Sequence, residues 1–155
     1  MPKGLQAELK QTKPFPSRAT EALLSILRTA AVLDHQLGEA LRPHQITATQ
    51  YNVLRILRGA GAAGLCGREI AERMVARVPD VPRMLERLEA MQLIRRERDT
   101  GDRRHVTARI APKGVALLKA AGPATDAVAR LRLGRLSERT LASLIEGLAA
   151  VRDET

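Results

Sequence analysis

Residues 93–110 constrain this chain more than any other stretch. Before Leu93, apolar residues recur every three or four positions, the period of an amphipathic helix. Leu93 and Ile94 then lead into Arg95, Arg96, Glu97 and Arg98, and a turn follows at Asp99, Thr100, Gly101 and Asp102. Aspartates and a permissive glycine are the side chains such a turn needs. Residues 103–110 return with the alternation of a strand. The pattern is one β-hairpin with a basic tip, and a lone hairpin must pack on helices to be stable.

The flanking segments read as those helices. Residues 1–16, punctuated by Pro2, Pro14 and Pro16, read as an extended N-terminal arm docked through Phe15. Ser17 is placed to cap a long first helix carrying Leu23, Leu24, Leu27, Leu37 and Leu41, which Pro43 ends. Thr47 caps a second helix with Tyr51, Val53, Leu54, Ile56 and Leu57 inward, and Gly59, Gly61 and Gly64 break the chain after it. A short helix is expected over about 67–75, with Ile70, Ala71 and Met74 inward. Another opens at Pro79 and runs to about Gln92, with Val81, Met84, Leu85 and Leu88 as its apolar stripe. After the hairpin, Pro112 starts a long helix that Gly122 and Pro123 kink or interrupt, and Ser137 caps a last one. Two short helices before a two-stranded hairpin make the arrangement of a winged helix-turn-helix.

The chain of 155 residues carries a net charge of +9, which favours a polyanionic partner. Phe15 and Tyr51 are its only aromatic residues, so the core must be aliphatic and no platform for stacking single-stranded bases exists. Duplex DNA, or RNA read by shape, is the partner left. Cys66 is alone, which excludes a disulfide within the chain. No leader and no apolar run of about 20 residues is visible, so a cytoplasmic protein is expected. His35, His44 and His105 lack the spacing of metal ligands, and no phosphate loop, dinucleotide fingerprint or nucleophile elbow occurs. No metal, cofactor or enzymatic activity is expected.

Three segments resemble the DNA-binding core of MarR regulators. Residues 46–57 are similar to the family's second helix, and residues 68–74 with 78–90 to the helix pair ending in the recognition helix. Asp102, Arg103 and Arg104, with Ile110, Lys113 and Gly114 downstream, resemble its wing signature. The resemblance implies a mainly α fold with a small two-stranded β wing. A single domain over 17–155 would hold a winged helix-turn-helix core at about 47–111. Dimerisation helices at about 17–42 and 112–152 would flank it. The sequence departs from the family pattern at Ala111 and Pro82, where hydroxyl residues are common.

The recognition helix would present Asp80, Val81, Pro82 and Arg83 to the major groove. Arg83 is the first choice for base readout, since a guanidinium can bond guanine bidentately. The alternative is a solvated arginine paired with Glu86. Arg77 is expected at a phosphate, Arg87 further along the groove, and Asp80 chiefly at the helix dipole. Arg98, Arg103 and Arg104 gather at the wing. The resemblance puts Arg104 in the minor groove, where the potential is most negative, and has Asp102 order the wing by pairing with basic neighbours.

The expected function is a sequence-specific transcriptional regulator on a pseudo-palindromic operator. The resemblance implies a homodimeric repressor, tuned by a small molecule bound between the dimer helices and the DNA-binding lobe. Two rivals stay open: a winged-helix adaptor that binds proteins, and a redox-responsive regulator acting through Cys66, against which stands a plain small buried or capping residue.

Overall fold

The computed structural model describes residues 4–102 and 104–153. Helix α1 (Leu5–Glu8) is one turn, and α2 (Arg18–Leu41) and α3 (Ala48–Ala60) follow. A two-residue strand β1 (Leu65–Cys66) leads into α4 (Gly67–Arg73) and α5 (Val81–Ala90). Strands β2 (Ile94–Arg98) and β3 (Val106–Ile110) form the hairpin, and α6 (Pro112–Leu133) and α7 (Glu138–Arg152) complete the chain.

Local signals start the helices where expected. Ser17 Oγ accepts the Thr20 N–H at 3.1 Å, and Ser137 Oγ accepts that of Thr140 at 3.2 Å. Thr47 and Gln50 cap each other's backbone N–H groups at 3.1 and 3.0 Å, a reciprocal box that satisfies two otherwise orphan donors.

The arm is not wholly extended, because α1 forms within it. Helix α4 stops at Arg73, and Ala71 is exposed instead of inward. Helix α5 begins at Val81, not at Pro79, and ends at Ala90. Gly122 and Pro123 do not interrupt α6, which runs through both. Pro123 removes one N–H from the helical ladder, but it and Lys119, whose carbonyl loses that partner, sit in exposed residues that water reaches.

The wing sheet has three strands in the order β1-β3-β2. The β2–β3 register pairs Ile94 with Ile110 and Arg98 with Val106, while Leu65 and Cys66 pair with Ala108 and Thr107. Gly64 makes the third strand possible. Its φ is +67°, and a Cβ there would lie 2.5 Å from the Ala108 carbonyl oxygen.

The core lies under this sheet. Leu41, Val53, Leu54, Leu57, Ile70, Leu88, Leu93 and Ile94 are all fully buried, and Leu118 and Ala121 of α6 close it. Burying such a side chain contributes about 1.5–3 kcal/mol, so a shared core ties the two short helices to the sheet. The long helices are different. No residue of α7 is buried, and Leu23, Leu27, Leu131, Ile145 and Val151 remain exposed on α2, α6 and α7.

Candidate nucleic-acid interface

Helix α5 owes its start to Asp80, whose carboxylate accepts the Arg83 N–H at 3.0 Å. Pro82 is therefore the second helical residue, where its missing N–H has no partner to lose. Asp80, Pro82, Arg83 and Arg87 are exposed, as is Arg77 in the preceding segment. Val81 follows its place in the apolar stripe and not the expected groove contact: its side chain is 8% exposed and packs into the core. The helical turn points it toward Leu85 and Leu88, so it anchors the helix and presents no side chain to a groove.

The far end of α5 is tied down as firmly. Gln92 adopts a left-handed conformation with φ 62°, which lets the Leu93 N–H reach the Leu88 carbonyl at 3.0 Å. Lys113 Nζ donates to the Met91 carbonyl at 3.0 Å, joining the start of α6 to the end of α5. Ala111 gives α6 no side-chain cap, and Pro112 opens the helix without one. The Ala111 N–H instead donates to the Leu93 carbonyl at 3.0 Å.

Glu89 couples the helix to the wing. Its Oε1 accepts the Arg96 backbone N–H at 3.0 Å, while Oε2 receives Arg96 Nε at 2.9 Å and Nη2 at 2.7 Å. These bonds, chiefly those from the Arg96 side chain, hold the Glu89 carboxyl below its ordinary range. Arg96 is thus an internal fastener and not a free cation. Arg109 is likewise occupied, donating to the Ala62 carbonyl and to Glu97, both at 2.7 Å.

At the wing tip, Asp99 Oδ1 accepts the Gly101 N–H at 2.9 Å and Asp102 Oδ1 accepts that of Arg104 at 3.0 Å. The Asp102 carbonyl also accepts the His105 N–H at 2.9 Å. Asp102 therefore orders the wing through backbone N–H groups. Among the described residues it forms no ion pair, and Arg103, the basic neighbour next to it in sequence, lies outside them. Arg98 and Arg104 are exposed, and Arg103 lies outside the described residues. Arg83 does not pair with Glu86. Among the described residues, Arg77, Arg83, Arg87, Arg98 and Arg104 all lack an ion-pair partner.

Sequence reasoning missed Glu89 and Asn52, and named Lys113 only as part of the wing signature. Asn52 Oδ1 accepts the Val75 N–H at 2.9 Å and so fixes the segment between α4 and α5. A long-range partner leaves no local spacing signal. A cavity of about 380 Å³ opens beside that bond, between α2, α3, α6 and Val75–Ala76. Cys66 is half-buried at the start of α4, and its N–H donates to Glu69 Oε2 at 2.8 Å, which lowers the Glu69 pKa.

The family model for the MarR family matches residues 46–106. The transcriptional regulator HosA of Escherichia coli is 32% identical over 112 residues, covering 66% of this chain and 82% of HosA. The chain belongs to the MarR family. That family comprises transcriptional regulators and not enzymes. The HTH-type transcriptional regulator TtmR of Methylorubrum extorquens is 33% identical over 124 residues, or 77% of this MarR-family chain, which spans only 62% of TtmR. Bordetella bronchiseptica BpsR, solved in work on regulation of its DNA binding by 6-hydroxynicotinic acid, superposes with a TM-score of 0.79 at 21% identity. The match covers 92% of this chain and all 100% of BpsR, and shows that the two share the winged helix-turn-helix fold.

Proposed function

We propose that this MarR-family protein is a sequence-specific DNA-binding transcriptional regulator that works as a homodimeric repressor. The observation that carries this reading is one packed unit presenting two sets of exposed arginines. Arg83 and Arg87 stand on α5, and Arg98 and Arg104 on the wing, all without ion-pair partners among the described residues. The Glu89–Arg96 pair joins the helix and the strand that carry the two groups. Arg83, in the first turn of α5, would read base edges in the major groove, with Asp80 and Pro82 beside it. Arg77 and Arg87 would meet phosphates, which position without specifying. Arg104, with Arg98 on the same wing, would enter the minor groove, and Arg103, outside the described residues, is proposed to join them.

The exposed apolar faces of α2, α6 and α7 support dimerisation. Leu27, Leu131 and Ile145 are each more than half exposed in the protomer, and a second copy would cover them. Paired protomers would place two α5 helices about one turn of DNA apart, on a pseudo-palindrome. The cavity between α2, α3, α6 and Val75–Ala76 is where a small molecule would bind and favour a dimer geometry with the wrong helix spacing. BpsR, of the same fold, has its DNA binding regulated by a small aromatic acid.

Selection of binding sites from random duplex DNA tests the proposal, with Arg83→Ala and Arg104→Ala variants alongside. A pseudo-palindrome should emerge with the parent protein. Arg83→Ala should relax specificity at one position, costing about 1–3 kcal/mol there. Arg104→Ala should weaken all sequences alike and lower the salt slope by about 1. Absence of any enriched sequence at moderate salt overturns the reading.

A further inference from the structure

The cavity between α2, α3, α6 and Val75–Ala76 has a chemical character of its own. Its walls are apolar where Leu37, Leu41 and Val75 line it, and its volume of about 380 Å³ suits a molecule of one or two rings. Val75 is 90% exposed, the most exposed of the large apolar residues, and an occupant of the cavity would cover it. Two carboxylates, Asp34 of α2 and Asp126 of α6, stand at this cavity against one guanidinium, Arg55 of α3. None of the three is ion-paired among the described residues. The lining therefore carries a net charge of −1 in a chain of net charge +9.

The hydroxyls add to the same bias. Thr125 Oγ1 lies 2.8 Å from the Gly122 carbonyl oxygen, which can only accept, so the single Thr125 proton is used there. The Tyr51 hydroxyl, 3.1 Å from Thr125 Oγ1, must then be the donor of that pair. Its oxygen keeps lone pairs and has no proton left for a ligand. Asp34, Asp126 and Tyr51 thus all offer acceptors at this cavity.

We propose that the cavity binds an organic amine, an apolar body of one or two rings carrying an ammonium group that Asp34 and Asp126 recognise. The inference rests on the effector reading above and names its chemical class. The ammonium offsets the net negative charge of the lining and donates to its carboxylates, and the ring body covers Val75 and Leu37. Charge-assisted hydrogen bonds of this kind are the strong ones. The occupant also lies against the Asn52–Val75 bond, which holds the segment leading into α5. Binding is thereby felt at the residues that begin the recognition helix.

A matched pair of probes tests the class. Tryptamine and indole-3-acetate share a ring system and differ in the sign of the side-chain charge. Their affinities for the full chain are measured by calorimetry, with the Val75 amide followed by NMR. Tryptamine should bind at least about tenfold more tightly, the worth of one charge-assisted hydrogen bond, and shift the Val75 resonance. Asp34→Asn and Asp126→Asn, isosteric exchanges at exposed residues, should each erase most of that preference while leaving unfolding by urea unchanged. Equal binding of the two probes, tighter binding of the acetate, or no binding of either at millimolar concentration overturns the inference. Duplex binding measured on the same samples separates the two readings. Tryptamine bound with DNA affinity unchanged keeps the ligand class and sinks the effector role, whereas release of DNA by the acetate alone does the reverse.

Discussion

The Asp80 carboxylate and the Arg83 N–H meet at 3.0 Å, so the residue that begins helix α5 also positions the arginine proposed to read bases. Capping and readout are coupled through one hydrogen bond. Asp80→Ala should cost about 1 kcal/mol in urea unfolding, the typical value of a lost N-cap. It should also weaken binding to a selected duplex, because the first turn frays. Asn caps as well as Asp, so Asp80→Asn should restore the stability. An Asp80→Ala protein as stable as the parent would show that core packing of Val81 alone starts the helix.

Glu89 makes stability depend on pH in a defined direction. Its carboxyl is held below the ordinary value of 4.5 by Arg96 in the folded protein, while the unfolded chain titrates near about 4.3. The unfolded state therefore takes up protons first on acidification. The stabilisation from this pair is complete above the unfolded value and is lost as pH falls through the folded one. The stability difference between the parent and Glu89→Gln should be constant near neutrality and shrink once the pH drops below that range. Denaturant titrations across a pH series check it, and a difference that grows in acid contradicts the pairing.

Two glycines separate strain from crowding. Gly61 and Gly64 both have positive φ, at 64° and 67°, but a Cβ at Gly61 meets open space while one at Gly64 would strike the Ala108 carbonyl. Gly61→Ala should lose only the backbone penalty of its φ 64°, ψ −148° conformation, about 1–3 kcal/mol. Gly64→Ala should lose a further 1–3 kcal/mol or so from overpacking and detach β1 from β3. Protection of the Leu65 and Cys66 amides from hydrogen exchange reads the second effect directly.

Gln92 holds a left-handed conformation that glycine adopts without strain. Gln92→Gly should raise the stability by roughly 0.5–1 kcal/mol, strain relief outweighing the added freedom of the unfolded chain. Thermal unfolding measures it. A lower melting temperature would mean that the Gln92 side chain contributes more at the end of α5 than its backbone costs.

The elements legible from the sequence are those written in neighbouring residues. Ser17, Thr47 and Ser137 cap helices because a hydroxyl reaches an N–H three residues on. The hairpin follows from Asp99, Gly101 and Asp102, whose turn bonds span two residues at most within each side chain's reach. The exposed arginines of α5 and the wing were readable too, since their roles depend on helix phase and turn position. Tertiary structure decided the rest. Leu65 and Cys66 become a strand only because β3 lies beside them, and α6 continues through Pro123 because its other turns are already packed. Of the two places the sequence offered Val81, the apolar stripe and the groove, the start of α5 one residue after Asp80 selects the first. Glu89 with Arg96, Asn52 with Val75, and the carboxylates Asp34 and Asp126 at one cavity join residues 7, 23 and 92 positions apart. Local periodicity carries no information on such pairings, because only the packing of whole elements brings these groups together.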